Sequence, residues 1–244
     1  MKIAIVSHRI TNSVNDNLRK MEDFIDQAIT SKTNMILFSE TATTGLANND
    51  NPTHDILLGE EIPGITTNRF RQLAINGQIH IAFGMFEREN NKLFDTAILI
   101  TKTGEIALKY RRISKGWHWA NSDPIIYIDG ASLTTATLEI GKVCFLLCGD
   151  LFEDDLVQRV HDLKPDYLLF PFARTIEGSG TVQEIWDRDD LPEYQKQVKK
   201  IGATTFMTGY IDEEFVGGAM AINKNGELIE TLPLKQEGML LVEV

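Results

Sequence analysis

The stretch Val143-Cys144-Phe145-Leu146-Leu147-Cys148-Gly149-Asp150-Leu151-Phe152 decides how this chain is read. Its first five residues carry no charge and are apolar on both faces of an extended chain, the pattern of a strand buried between two layers. Cys148 falls where that strand exits, a place where a sheet fixes the backbone while the turn opens the side chain to a pocket. Gly149 lets a ligand approach the main chain closely. An isolated cysteine is most often a small core hydrophobe, so any chemical reading depends on what the rest of the chain supplies.

Two further apolar runs end in the same way. Residues 35–38 stop at Ser39 and Glu40, and residues 167–170 stop at Pro171, Phe172 and Ala173. Before them, residues 3–6 read as a short buried strand. Ser13 then caps a helix, with Asp16 three residues on and Val14, Leu18, Met21, Ile25 and Ala28 at helical spacing. Residues 41–63 are polar and loop-like, and residues 66–76 read as a helix stopped by Gly77. Residues 79–86, 93–101 and 105–111 read as consecutive antiparallel strands.

An aromatic loop at residues 114–124 carries Trp117, His118 and Trp119, which suit either a pocket rim or a cover for the sheet. Short strands at 125–128 and 134–138 lead into the Cys148 strand. After it come a helix marked by Leu156, Val157, Val160 and Leu163, and a long irregular segment at 175–188 of the kind that often has a function. A helix at 191–202 follows, then strands at 204–210, 218–223, 227–231 and 239–244, with a turn at Asn225-Gly226. With no repeat or linker in view, strands bracketed by helices read as one α/β layered domain over residues 1–244.

Composition narrows the function. Hydrophobic residues make up 43% of the 244, enough for a substantial core. A net charge of −11 argues against nucleic acid and anionic membranes and suits a small substrate. Cys144 and Cys148, if on one strand, stand about 13 Å apart, too far to bridge. The chain starts without a signal-like segment and has no apolar run near membrane-spanning length, so a reduced, cytoplasmic protein is expected. His8, His54, His80, His118 and His161 are scattered without metal-ligand spacing, and no metal is expected.

The order of features, an acid after the second strand, a basic residue after a Tyr-Arg strand and a Cys before an Asp, resembles the nitrilase superfamily of carbon-nitrogen hydrolases over nearly the whole chain. Glu40 with Gly45 is similar to the family's glutamate segment. Cys148 to Phe152 is similar to its nucleophile segment, and Phe215, Gly217 and Gly218 with Asn225-Gly226 to its late hairpin. The resemblance implies a four-layer αββα sandwich in which Glu, Lys and Cys meet at one pocket. It further implies hydrolysis of an amide, nitrile or carbamoyl compound through a thioester-type intermediate, with no cofactor. It also implies a homodimer, formed through the helix after Cys148 and the C-terminal segment.

This chain departs from the family at three points. Tyr110-Arg111-Arg112 places Arg112 where the family has its lysine; residues 113–124 hold Asp123 as their sole acid, where a second glutamate is usual; and the proline usual after the nucleophile is missing. Lys109 and Lys115 each lie three residues from Arg112, an odd offset that points to the opposite face of a continuing strand, so only a bend at Ser114 brings Lys115 round.

The roles implied are Cys148 as nucleophile, Glu40 as acid and base, Arg112 as the cation for the oxyanion and the Gly149 N–H as a second donor. Phe172 is the candidate substrate contact, although it, Trp117, Trp119 and Trp186 are each suited equally to pocket or core. Arginine is a planar fork where lysine is a compact ammonium, so a bidentate grip that lowers the pKa of Glu40 is expected. Two functions follow: a cysteine-dependent hydrolase, or a non-catalytic relative that binds a small ligand or partner because arginine replaces lysine. A Cys-His amidotransferase fits poorly, since no Gly-x-Cys-x-Gly surrounds Cys148 and no histidine is placed to serve it.

Overall fold

In the computed structural model, which describes all 244 residues, alternation along the buried strands assigns their two faces to two different partners. Strand β1 (Lys2–Ser7) sends Ile3 and Ile5 toward a second sheet and Ala4 and Val6 toward helices. Helix α1 (Val14–Thr30) starts at Ser13, whose hydroxyl accepts from the Asp16 amide at 3.3 Å, and buries Leu18, Met21, Ile25 and Ala28. Strand β2 (Met35–Leu37) repeats the alternation, with Met35 and Leu37 toward the other sheet and Ile36 toward the helices. A one-turn helix α2 (Pro52–Asp55) precedes α3 (Ile65–Gly77), which adds Phe70 and Ala74 to the helix-side core.

Strands β3 (His80–Glu89), β4 (Lys92–Ile100) and β5 (Ile106–Arg111) complete one side of the first sheet. The second sheet comprises β6 (Thr135–Leu138), β7 (Gly141–Phe145), β8 (Tyr167–Phe172), β9 (Thr204–Gly209), β10 (Ala219–Ile222) and β11 (Leu228–Leu232). Helices α4 (Asp154–Leu163), α5 (Val182–Ile185) and α6 (Leu191–Ile201) are interspersed, and α4 packs on α6 to cover that sheet. Strand β12 (Gly238–Glu243) returns to pair with β1, giving orders β12-β1-β2-β3-β4-β5 and β11-β10-β9-β8-β7-β6.

Each sheet has three parallel strands at its centre, β1-β2-β3 and β7-β8-β9, flanked by antiparallel ones. The layers are αββα, as the resemblance implies. Carboxyl ends of parallel strands are where α/β folds gather ligands. Here the exits of β2, β7 and β8 supply Glu40, Cys148 and Ala173.

Three local expectations are corrected. Residues 125–128 form a turn and a single bridge, not a full strand: the amides of Ile126 and Tyr127 both donate to the Asp123 carbonyl at 3.0 Å, and Tyr127 pairs with Leu93 alone and packs on Phe86 and Trp117. Gly77 lies inside α3, and the left-handed stop is Gln78 at φ 51°. A Cβ on Gly77 would fall 2.3 Å from Ile29, so the glycine is there for helix approach rather than for a turn. The latter part of residues 175–188 is helical, running from α5 into a π-turn (Trp186–Asp190). Thr181 and Glu184 cap it reciprocally, with N–H···O distances of 3.2 and 2.8 Å, a Thr-x-x-Glu box readable in the sequence.

Candidate active site

Glu40 is aimed inward by the backbone of β3. The Gly84 amide donates to the Ser39 carbonyl and the Ala42 amide donates to the Gly84 carbonyl, both at 2.9 Å. A Cβ on Gly84 would sit 2.7 Å from the Glu40 Cα, so only glycine allows this closure. The Glu40 side chain has no exposed surface.

Arg112 follows β5 directly, its amide donating to the Asp95 carbonyl at 2.8 Å. Its guanidinium donates from Nη1 to Glu40 Oε1 at 2.9 Å, from Nε to Ser114 Oγ at 3.0 Å and from Nη2 to the Lys115 carbonyl at 3.1 Å. Asp95 Oδ2 stands 3.7 Å from Nη1. The contact with Glu40 is therefore single-point, and the expected bidentate fork does not form. Neither lysine replaces it: Lys109 donates to Glu87 at 2.6 Å on the other face, and the Lys115 side chain is exposed.

Cys148 opens a 3-10 turn (Cys148–Phe152) three residues beyond the end of β7, and its thiol donates to the Ala173 carbonyl at 3.3 Å. Its φ of 43° is left-handed. That conformation costs an L-residue about 1–2 kcal/mol, and strain of this kind collects at functional turns. A Cβ on Gly149 would lie 2.8 Å from Arg112 Nη2 and 2.9 Å from Ser114 Oγ, so Gly149 is what lets the guanidinium pack beneath the turn.

The buried Asp150 ties this turn to the Arg112 segment. Its Oδ2 accepts from the Tyr110 hydroxyl at 2.7 Å and the Leu147 amide at 3.0 Å, and its Oδ1 accepts from the amides of Ile113 at 3.1 Å and Ser114 at 2.6 Å. Asp95 and Asp150 are the two members of the cluster that reading the sequence did not assign. Asp150 carried a signal, since it lies in the nucleophile segment itself.

The aromatic candidates separate. Phe172 is fully buried, its ring 5.9 Å from Phe170 and 6.1 Å from Trp186 in a stacked row. Of the two positions open to it, pocket or core, Phe172 takes the packed one, because β8 directs it into the core between the sheet and α6. Trp186 is likewise buried, Trp117 covers the end of the first sheet, and Trp119 is 66% exposed. Ile10, Ala173 and Tyr210 pack together beside Cys148's partner carbonyl. Ile10 also lines a cleft of about 560 Å³ whose walls include Arg9, Leu46 and Phe215 but none of Glu40, Arg112 and Cys148. No group of three or more His, Cys, Asp or Glu side chains is arranged to hold a metal ion.

Burial dominates the electrostatics. It pushes Glu40 up to about 8, helped by the nearby Cys148 and opposed by Arg112 and Asp95. The expected depression by arginine is thus outweighed by desolvation. Asp95 is raised well above the carboxylate range by burial and then by Glu40. Burial works against the Arg112 charge, yet Glu40 and its neighbours hold that group above its ordinary value. The result is a thiol, a carboxyl poised near neutrality and a fixed cation in one buried cluster, the parts needed for nucleophilic attack with proton transfer.

Residues 2–244 match the sequence model of the family described as carbon-nitrogen hydrolase. A protein of Schizosaccharomyces pombe named as a probable nitrilase is 24% identical over 235 residues, which cover 93% of this chain and 82% of that protein. A deaminated glutathione amidase of Dictyostelium discoideum is 24% identical over 179 residues, 67% of this chain and 60% of the other. Among solved structures, a carbon-nitrogen hydrolase of Helicobacter pylori superposes with a TM-score of 0.86 at 17% identity, covering 99% of this chain and 88% of its own. An amidase of Nesterenkonia superposes with a TM-score of 0.82 at 16% identity, covering 100% and 90%.

Proposed function

The chain belongs to the carbon-nitrogen hydrolase family, within the nitrilase superfamily, and from that premise we propose that it cleaves a non-peptide carbon-nitrogen bond of a small amide or nitrile using Cys148. The observation that carries the reading is the buried Glu40–Arg112 pair beside a cysteine held in a left-handed turn. On an amide, Glu40 takes the thiol proton as sulfur attacks the carbonyl carbon. Arg112 and the Gly149 N–H face the oxygen that becomes negative. Glu40 then returns the proton to the departing amine, leaving an acyl thioester on Cys148. Water attacks that ester with Glu40 again as base, releasing the acid and restoring the thiol.

A glutamate-to-glutamine mutant of the Nesterenkonia amidase shows covalent addition of the acetamide moiety of fluoroacetamide at its active-site cysteine, which supplies a probe for this chain and its Glu40→Gln variant. Fluoroacetamide is expected to add the same moiety to Cys148, and Cys148→Ala is expected to lose both the adduct and ammonia release from small primary amides. An unmodified Cys148 together with no ammonia release counts against the reading.

The second reading, a non-catalytic binder, is favoured by the commitment of Arg112 to Glu40, Ser114 and the Lys115 carbonyl. Calorimetric binding of an amide without ammonia release supports it. The homodimer implied by the family is carried with this proposal. The 45% exposed Phe152, stacked edge-on against Tyr194 of α6, is a candidate contact for sedimentation analysis to test.

A further inference from the structure

The buried cluster contains more carboxyl than its single cation can neutralise. Glu40 and Asp95 both crowd Nη1 of Arg112, at 2.9 and 3.7 Å, and neither has any exposed surface. Glu40 uses one oxygen on the guanidinium, while Glu40 Oε2 and both oxygens of Asp95 are buried with no donor. Three orphaned acceptors in one place are costly, and two ionised carboxylates sharing one cation would leave a net buried negative charge.

A single proton removes the excess charge and engages two of the three orphaned oxygens. We propose that Asp95 is a positioning residue that carries a proton and donates it to Glu40 Oε2, so that the base serving Cys148 is a hydrogen-bonded carboxyl pair and not a lone glutamate. This rests on the proposed role of Glu40 as the base for Cys148.

The proton sits on Asp95 because Glu40 already has the charge-assisted bond from Arg112, which favours its ionised form, whereas Asp95 has no such bond. The groups facing Asp95 are Glu40 from the exit of β2, Arg112 from the exit of β5 and Asp150 from the turn after β7. Asp150 is fully occupied by four donors, so it is not available to share the proton. The shift of Asp95 upward by burial and by Glu40 agrees with this placement.

The arrangement also accounts for a single fixed cation at this position. With Asp95 neutral, the Arg112 charge is balanced by Glu40 alone in the resting state. When the thiol proton moves to Glu40, the same charge is balanced by the Cys148 thiolate. The proton transfer therefore leaves the net charge of Glu40, Asp95, Arg112 and Cys148 unchanged, so no new charge is created in a largely buried site. Asp95 is the one charged side chain on the inward face of β4, where its neighbours Ala97 and Leu99 belong to the core.

Infrared spectroscopy tests the proton without requiring turnover. At about pH 9, above the value of about 8 for Glu40, the natural protein is expected to show a protonated-carboxyl stretch that Asp95→Asn removes. The rate of Cys148 alkylation by iodoacetamide is expected to fall about tenfold in Asp95→Ala, which orphans Glu40 Oε2, and to be largely restored in Asp95→Asn, whose amide donates in place of the hydroxyl. Absence of the carboxyl stretch, or alkylation as slow in Asp95→Asn as in Asp95→Ala, overturns the proposal. Neither result depends on a substrate, so the proposal can fail while the hydrolase reading survives, and the reverse.

Discussion

Replacing Glu40 by glutamine is expected to change how stability depends on pH more than it changes stability at any one pH. Glu40 titrates at about 8 in the folded protein against 4.5 for the free group. A raised carboxyl binds its proton more tightly folded than unfolded, so its contribution is complete below about 4.5 and is lost as pH rises to about 8. The rise from 4.5 to about 8 sets a ceiling of about 5 kcal/mol on this contribution. Buried His8 works the other way: it is lowered to about 4, so it adds stability as pH rises from about 4 to 6.5. Subtracting the Glu40→Gln curve from the natural one removes the His8 contribution and leaves that of Glu40. Urea unfolding at several pH values between about 5 and 9 measures it. The natural protein should lose at least about 2 kcal/mol relative to Glu40→Gln across that window, with the difference flat above about pH 9. Parallel curves would refute the claim that Glu40 is a desolvated carboxyl held near neutrality.

Arg112→Met is expected to cost about 3–5 kcal/mol by urea unfolding at about pH 9, where Glu40 is ionised, and less at about pH 6, where it holds a proton. Equal losses at the two pH values would show that the Glu40–Arg112 charge pair is not what the arginine supplies. Gly149→Ala places a carbon 2.8 Å from Arg112 Nη2, so iodoacetamide labelling of Cys148 should slow at least about tenfold while unfolding changes by about 1–3 kcal/mol. Asp150→Asn turns an NH₂ group toward two of the four donors that meet the carboxylate. It should cost about 3 kcal/mol by urea unfolding and disorder the Cys148 turn.

The parts of the site that show in the sequence are those announced by a break in pattern. Apolar runs that stop at Glu40 and Cys148 mark strand exits, because a run buried on both faces has to end where the chain leaves the sheet. The layers follow from period-two strands and from the Leu18-Met21-Ile25 face of α1. Arg112 needed the family order to be singled out, since a basic residue at a strand end is ordinarily on the surface. Asp95 gave no signal at all. A lone acid in the run from Leu93 to Ile100 reads as a solvent-facing position, and only the fold shows that it meets Glu40 and Arg112 inside. The left-handed φ of Cys148 was equally hidden, because the next residue, Gly149, is the natural candidate for such a conformation, yet it is needed for the approach of the guanidinium. The Arg112–Glu40 geometry was misjudged for a related reason. A fork was expected from the chemistry of the pair alone, while Ser114 and the Lys115 carbonyl take the other guanidinium nitrogens.

The central claim is that Cys148 forms an acyl intermediate served by Glu40 and Arg112. Intact-protein mass spectrometry with peptide mapping, on samples acid-quenched during turnover of a small primary amide, tests it directly. An acyl group on the Cys148 peptide of the natural protein, absent in Cys148→Ala and strongly reduced in Arg112→Met, is the predicted result. Ammonia release with Cys148 unmodified, or release that persists in Cys148→Ala, would contradict it.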